Sequence, residues 1–320
     1  MESSGLKRIF YQKLRDYVYH IPGENPSLFT LCGTNCFVVG RGNNRVMIEA
    51  GDYPERNQLF LENFNRFLTD FSHVSIEKIF ITHGHYDHFG GLFDVLNTLT
   101  NRQKASKYTE PEIYKKLDGN QFENEVFQRY PTLTGKVRDL KHNDTFKLDD
   151  EFDLKALYTP GHATDHFSIL MSPINKEDYK ENLLFSGDII LGTPSTSVQE
   201  LSSYMETLYS LRNEDFSHIC LPHSLDSLPE SIIVDGKVKL EQYIQYREER
   251  DRNIMACFKD DDKITKDDLY NVIYGSRGLI GGLQLAAINN LELHLAKLVK
   301  DKQLMKVEGK DEYYRNNHKI

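Results

Sequence analysis

Over the first two thirds of the chain, short apolar runs alternate with stretches that carry apolar residues at helical spacing. Runs at 36–39, 45–49, 78–82, 154–158, 167–171, 183–186 and 218–221 are apolar and β-branched enough to be buried strands. Between them, 58–71 and 89–98 repeat apolar side chains with a helical period. This alternation predicts an α/β layered domain. After Pro229 the pattern changes. Leu240, Tyr243, Ile244, Ile254, Met255 and Phe258 mark one long helix, and 266–274 a short second one. Ala287, Leu291, Leu295, Leu298 and Val299 mark a third helix beyond a break at 275–282. Residues 304–307, a Gly309 turn and 313–315 then form a hairpin pattern. Three helices and a hairpin predict a winged helix, so the expected division is 1–228 and 229–320.

Composition narrows the class. A chain of 320 residues with 39% hydrophobic content can bury a large core without staples. A formal charge of −9 describes an acidic protein rather than a basic nucleic-acid coat, so any RNA contact must be local. No apolar run approaches the roughly 20 residues that cross a bilayer, and the first residues lack the apolar core of a secretory signal. The expectation is an intracellular protein with no membrane span. Lys7, Arg8, Lys13 and Arg15, interleaved with Leu6, Ile9, Phe10 and Leu14, are weakly presequence-like, which Glu2 and Asp16 oppose. Cys32, Cys36, Cys220 and Cys257 form no paired knuckles and are expected to be free, reduced thiols.

The chemistry concentrates in Thr82-His83-Gly84-His85-Tyr86-Asp87-His88, directly after the apolar run 79–81. Such a run delivers imidazoles and a carboxylate to one turn at a strand end, where they can fold around a metal ion. His162, Asp188 and His223 each follow a later apolar run and a turn. A single histidine in such a loop is ordinarily a satisfied turn residue. Five imidazoles and two carboxylates converging without metal would leave uncompensated polar burial costing several kcal/mol. The donor set suits two divalent ions sharing one bridging oxygen ligand. Zinc is the first choice, with manganese or iron as substitutes.

These motifs resemble the metallo-β-lactamase superfamily, whose hallmark is H-x-H-x-D-H followed by a later His, Asp and His. The resemblance implies an α/β four-layer αββα sandwich. It places His83, His85 and His162 on one ion, Asp87, His88 and His223 on the other, and Asp188 between them. Two ions about 3.5–4 Å apart ionise a shared water at neutral pH and clamp the attacked group, and Asp87 is placed to orient that water and accept its proton. Two departures stand out. Glu49-Ala50-Gly51-Asp52 replaces the common D-T-G turn, with Glu49 or Asp52 available as an acceptor for a ligating imidazole. Pro222 and Ser224 flank His223 where glycine is usual, which makes His223 the least secure ligand.

Within the superfamily, the chain is similar to the β-lactamase-like protein 2 endoribonuclease group of animals. The similar stretches are Asn25-Pro26-Ser27 leading to Gly33-Thr34-Asn35, the run from Tyr158 through His162 to His166, and Ser186-Gly187-Asp188 continuing to Gly192. This implies a dinuclear zinc hydrolase that cuts single-stranded RNA internally, with no DNA partner, in the mitochondrial matrix or otherwise the cytoplasm. The oligomeric state stays open. His166 reads either as a phosphate contact or proton donor to the leaving oxygen, or as a histidine that packs behind the ligands. Lys297, Lys300, Lys302, Lys306, Lys310, Arg315 and Lys319, with Tyr313 and Tyr314, read either as an RNA-holding face or as a solvated one. Of these, Lys297 and Lys306 are the candidate substrate contacts. The rival activity is a glyoxalase-II-like thioester hydrolase with the same ligands. A third reading is a protein-interaction subunit whose metal site is idle.

Overall fold

The computed structural model describes residues 8–102, 110–175, 181–193, 195–259 and 262–316. Glu2, Leu6, Lys7 and Lys319, invoked above, lie outside the described residues. The first of two facing sheets begins as an antiparallel meander of β1 (Gln12–Arg15), β2 (Val18–Pro22), β3 (Asn35–Val39) and β4 (Asn44–Ile48). It then adds β5 (Ser75–Phe80), β6 (Glu112–Lys115) and β7 (Val137–Asp139) in parallel. Parallel neighbours need crossovers. These contain α1 (Pro54–Asp70), α2 (Tyr86–Phe89), α3 (Leu92–Arg102) and α4 (Gln121–Arg129).

The second sheet runs β8 (Thr145–Lys147), β9 (Phe152–Tyr158), β10 (Phe167–Pro173) and β11 (Leu183–Phe185), all antiparallel. Helix α5 (Leu201–Leu211) crosses to the parallel strand β12 (His218–Cys220), and α6 (Pro229–Ile232) leads into β13 (Ile233–Asp235). Both sheets are mixed, and together they form the expected α/β sandwich.

Period-2 alternation sorts the side chains between layers. On β3, Cys36 and Val38 join Phe60, Phe64 and Phe67 of α1 in an outer core. Phe37 and Val39 face inward, where they meet Phe152, Phe167 and Phe185 of the second sheet. Across that sheet, Leu170, Leu184 and Ile219 pack against Tyr204 and Leu208 of α5. Each fully buried side chain of this size contributes roughly 1.5–3 kcal/mol. Helix α1 starts on Pro54, whose missing N–H belongs to the unpaired first turn, and buries Phe60, Phe64, Phe67 and Leu68 as one stripe.

Beyond Asp235 come α7 (Gly236–Ala256), β14 (Ile264–Thr265), α8 (Lys266–Tyr274), α9 (Gly282–Lys300), β15 (Leu304–Lys306) and β16 (Glu312–Arg315). The strands form a small sheet in the order β14-β16-β15. Ile254, Leu269, Leu291, Leu295, Leu304 and Tyr313 give this region its own core. The expected boundary at 228 and 229 falls ahead of β13, which still pairs in the second sheet. Helix α7 serves both sides: Leu240, Tyr243 and Ile244 pack with α5, and Ile254 with α9. No described helix is long and apolar enough to cross a membrane.

His20, at the centre of β2, is fully buried, and burial pushes its imidazole down from 6.5 to about 4. The unfolded chain therefore takes up a proton near pH 6.5 that the folded chain refuses until about pH 4. This stability is complete above pH 6.5 and falls by roughly 3 kcal/mol as pH drops through about 4. Urea unfolding of His20→Leu between pH 4 and 7 is expected to lack this part of the acid slope. A slope identical to the wild type's would refute it.

Candidate metal centre

All seven expected ligands lie at one edge of the sandwich, Asp87 and His88 on α2 and the others in loops or a short 3-10 turn. The segment after β5 supplies His83, His85, Asp87 and His88. The loops after β9, β11 and β12 supply His162, Asp188 and His223. The two sheets are tied together at this edge, because Phe167 N donates to Thr82 O at 2.7 Å and Asn35 N to Pro222 O at 2.7 Å. Two glycines are required by the turns. Gly161 has φ +127° and packs against the Tyr204 backbone, and Gly187 has φ +52° and lies on the His166 ring.

His83 Nε2, His85 Nδ1 and His162 Nε2 form a triangle with sides of 2.9, 3.1 and 3.3 Å. Asp188 Oδ2 stands 3.6 Å from His162 Nε2. The tautomers show that the contact between His83 and His162 is not a hydrogen bond. His162 Nδ1 must carry a proton to reach Ser197 O at 2.8 Å, so its Nε2 presents a lone pair. Thr82 Oγ1 donates to Glu49 Oε1 at 2.6 Å and is left to accept from His83 Nδ1 at 3.0 Å. His83 Nε2 is therefore also a lone pair. Such nitrogens converge without repulsion around a cation, and tetrahedral zinc at about 2.0–2.1 Å spaces its nitrogens roughly 3.3 Å apart.

The second cluster has Asp87, His88 and His223. His223 Nε2 lies 3.1 Å from Asp87 Oδ2 and 3.2 Å from Asp188 Oδ1. His88 Nε2 lies 3.2 and 3.3 Å from the same two oxygens. Asp188 thus turns one oxygen to each cluster. The outer nitrogens are held: His223 Nδ1 donates to Gly33 O at 3.2 Å, and His88 Nδ1 faces Glu49 Oε1 at 3.1 Å. Burial pushes the His88 imidazole down, but Asp87, Glu49 and Asp188 outweigh it and hold it well above its ordinary value. Burial is likewise outweighed at His223, which Asp188 and Asp87 raise to about 9. A divalent cation displaces those protons and takes over the carboxylates. The residues present therefore fit a zinc pair.

The centre opens into a cleft of about 840 Å³. Its walls are largely apolar, including Phe29, Leu31, Phe122, Leu191, Val198 and Leu293, while His85, Asp87, His162, Asp188 and His223 lie in it. Phe29 is 80% exposed at the rim. Comparison with known proteins agrees with this geometry. The family model described as the metallo-β-lactamase superfamily matches residues 29–223.

The chain belongs to the metallo-β-lactamase superfamily.

It is a hydrolase of that superfamily with a candidate site for a zinc pair. Among its relatives, the β-lactamase-like protein 2 homolog of Caenorhabditis elegans is 32% identical over 294 residues, 91% of this chain and 86% of the relative. An atrochrysone carboxyl ACP thioesterase of Passalora fulva is 24% identical over 269 residues, 82% of this chain and 70% of the relative. In structure, a β-lactamase domain protein from Burkholderia ambifaria matches with a TM-score of 0.72 at 17% identity, covering 98% of this chain and 96% of that one.

Where superfamily members commonly carry Asp, Glu49 holds φ +66° and sends its carboxylate to both Thr82 and His88. A left-handed non-glycine residue costs of order 1–3 kcal/mol, which the buried contacts offset. Of the two readings of His166, its surroundings are those of a packing histidine. It is fully buried behind His83, ring centroids 5.1 Å apart, and is absent from the cleft walls. Its Nδ1 meets Thr159 Oγ1 at 2.8 Å, and burial, with His162 nearby, holds it well below its ordinary value.

Neither expected lysine contact reaches the cleft. Lys297 Nζ is bound to Asp251 at 2.9 Å and Asp301 at 2.7 Å, and Lys306 lies on the terminal hairpin near Asp311. Sequence reasoning missed Lys115, which is completely buried. Its Nζ donates to Asp165 at 2.6 Å and Glu123 at 2.8 Å. The signal was its inward register on β6, two residues from Ile113.

Proposed function

We propose that the protein is an endoribonuclease that cleaves phosphodiester bonds of single-stranded RNA. The observation that carries hydrolysis is the split of Asp188 between two clusters. The relation to β-lactamase-like protein 2 homologs supports the RNA branch. His83, His85, Asp188 and His162 would hold one zinc ion, and Asp87, His88, His223 and Asp188 the other. When bound, the pair supplies Lewis acidity and an ionised water at neutral pH. The chain does the rest. Asp87, whose Oδ2 accepts from Thr34 Oγ1 at 3.3 Å, faces the cleft and takes the proton of the attacking water. The apolar walls exclude bulk water, and exposed Phe29 offers a ring on which a base stacks.

The region from 229 to 320 is proposed as a winged-helix module, supported by its helix order and three-stranded sheet. The mitochondrial matrix is proposed as the compartment, on the resemblance to the animal group alone.

His166 is proposed to position the Gly187 turn rather than to donate a proton. His166→Ala is expected to slow single-turnover cleavage about 10–100-fold while leaving the alkaline limb of the pH–rate profile, where a proton donor would titrate, in place. Disappearance of that limb would restore the proton-donor role.

A thioester hydrolase is the second reading, favoured by the apolar cleft and the thioesterase relative. Zinc-loaded protein incubated with a labelled oligoribonucleotide and with a panel of acyl thioesters separates the two. Internal RNA cuts that stop on adding chelator are expected. Intact RNA with thioester turnover would replace the first reading by the second.

A further inference from the structure

Arg247, on α7, heads the fully buried large side chains, with 2% exposure, and it forms part of the wall of the metal-centre cleft. Arginine stays charged under all ordinary conditions. Among the described residues, no carboxylate forms an ion pair with it. Its Nη2 donates to Thr196 O at 2.8 Å and the Tyr204 ring lies 5.5 Å from Cζ, while Nε and Nη1 have no acceptor. A buried cation without a counter-charge is strongly unfavourable. Across from it, α9 turns His294 to α7, where His294 Nδ1 meets Asp251 Oδ1 at 2.6 Å. One turn earlier on that face, Asn290 borders the same cleft, and its Oδ1 is also buried without a partner.

We propose that Arg247, with Asn290 opposite, is a phosphate subsite that takes an uncleaved phosphodiester of the RNA strand neighbouring the one held at the metal centre. The guanidinium fork matches two phosphate oxygens, and a half-turn of the Asn290 amide, whose Oδ1 has no donor to hold it, presents Nδ2 as a further donor. The position is one residue from the ligand shell. Arg247 holds Thr196 O, and the next carbonyl, Ser197 O, accepts from His162 Nδ1. Nε and Nη1 are buried although Arg247 borders the cleft, so engagement turns the guanidinium outward to the anion. The nature of the anion rests on the RNA reading; the existence of the subsite rests on the uncompensated charge.

Inorganic phosphate titrated into the zinc-loaded full-length protein tests the subsite without turnover. Arg247→Gln, which keeps a donor for Thr196 O, is expected to bind phosphate about tenfold more weakly, and Asn290→Ala about threefold. Unchanged affinity in both, at unchanged zinc content, overturns the subsite and leaves ordered water as the partner of these groups. Should Arg247→Gln fail to fold, Asn290→Ala still decides. The RNA assignment is read on wild-type protein, with methylphosphonate replacing each uncut phosphate of the oligonucleotide in turn. One replacement beside the cut is expected to raise KM about tenfold with kcat retained. Cleavage indifferent to every replacement overturns the assignment. If no RNA is cut but Arg247→Gln raises KM for a phosphopantetheine thioester, the endoribonuclease reading fails while the subsite stands.

Discussion

Asp188→Ala is expected to strip the centre of one or both ions and to slow hydrolysis by more than about a thousandfold, some 4 kcal/mol of barrier. The size follows from the position of the side chain. Its Oδ2 serves the cluster of His83, His85 and His162, and its Oδ1 lies 3.3 and 3.2 Å from His88 and His223. Among the described residues no other carboxylate faces both clusters, since Asp87 is directed to His88 and His223. Removing a ligand of one ion leaves the other's set whole. Removing Asp188 disables both sets and frees the lone pairs around them to repel. Elemental analysis and single-turnover kinetics check this together. A variant with a full pair of ions and near-normal turnover would mean that Asp188 bridges nothing.

Lys115→Met is expected to destabilise the fold by about 3–5 kcal/mol, among the largest losses open to a single substitution. Methionine fills most of the space, so packing is a minor part of the effect. The loss arises because Asp165 and Glu123, both almost fully buried, are left charged with no cation. Asp165 lies against Gly84, between His83 and His85, and Glu123 opens α4 beside Phe122, whose ring meets His85 at 4.7 Å. Zinc content should therefore fall along with stability. Combining Lys115→Met with Asp165→Asn and Glu123→Gln is expected to restore much of both, since an uncharged trio has no ion to leave unpaired. Urea unfolding of the single and combined variants reads this directly. A combined variant no more stable than the single one would show that shape rather than charge sets the requirement.

All seven expected strands form, and the helix expected at 266–274 spans Lys266–Tyr274. Those elements were legible because apolar runs on largely buried strands are dense, and because the ligands follow several of them directly. Strands β7 and β8 are three residues long, too short to show a period. Strand β6 was hidden by its own chemistry, since Glu112 and Lys115 disguise an inward alternation of Ile113 and Lys115. Arg247 sits in the charged run from Arg247 to Arg252, which from sequence alone reads as a solvated helix face. Its burial arises only once α5 and α9 close around α7. The ligands were visible as a motif, and Glu49 as an acceptor for one of their imidazoles, whereas Ser197 and Gly33 act through backbone carbonyls that no motif encodes.

Helix α7 lies outside both sheets, yet Tyr243 accepts from Leu191 N at 2.8 Å and donates to Thr193 O at 2.6 Å, just downstream of Asp188. Four residues along the same face, Arg247 holds the strand of loop that steers His162. Lineages that exchange the last third of such a chain for another module therefore inherit a constraint. The splice must fall downstream of this face, or the donor must bring its own tyrosine and arginine at the same helical spacing. A terminal module joined here is thus free to diversify at its far end while its root stays under selection for hydrolysis.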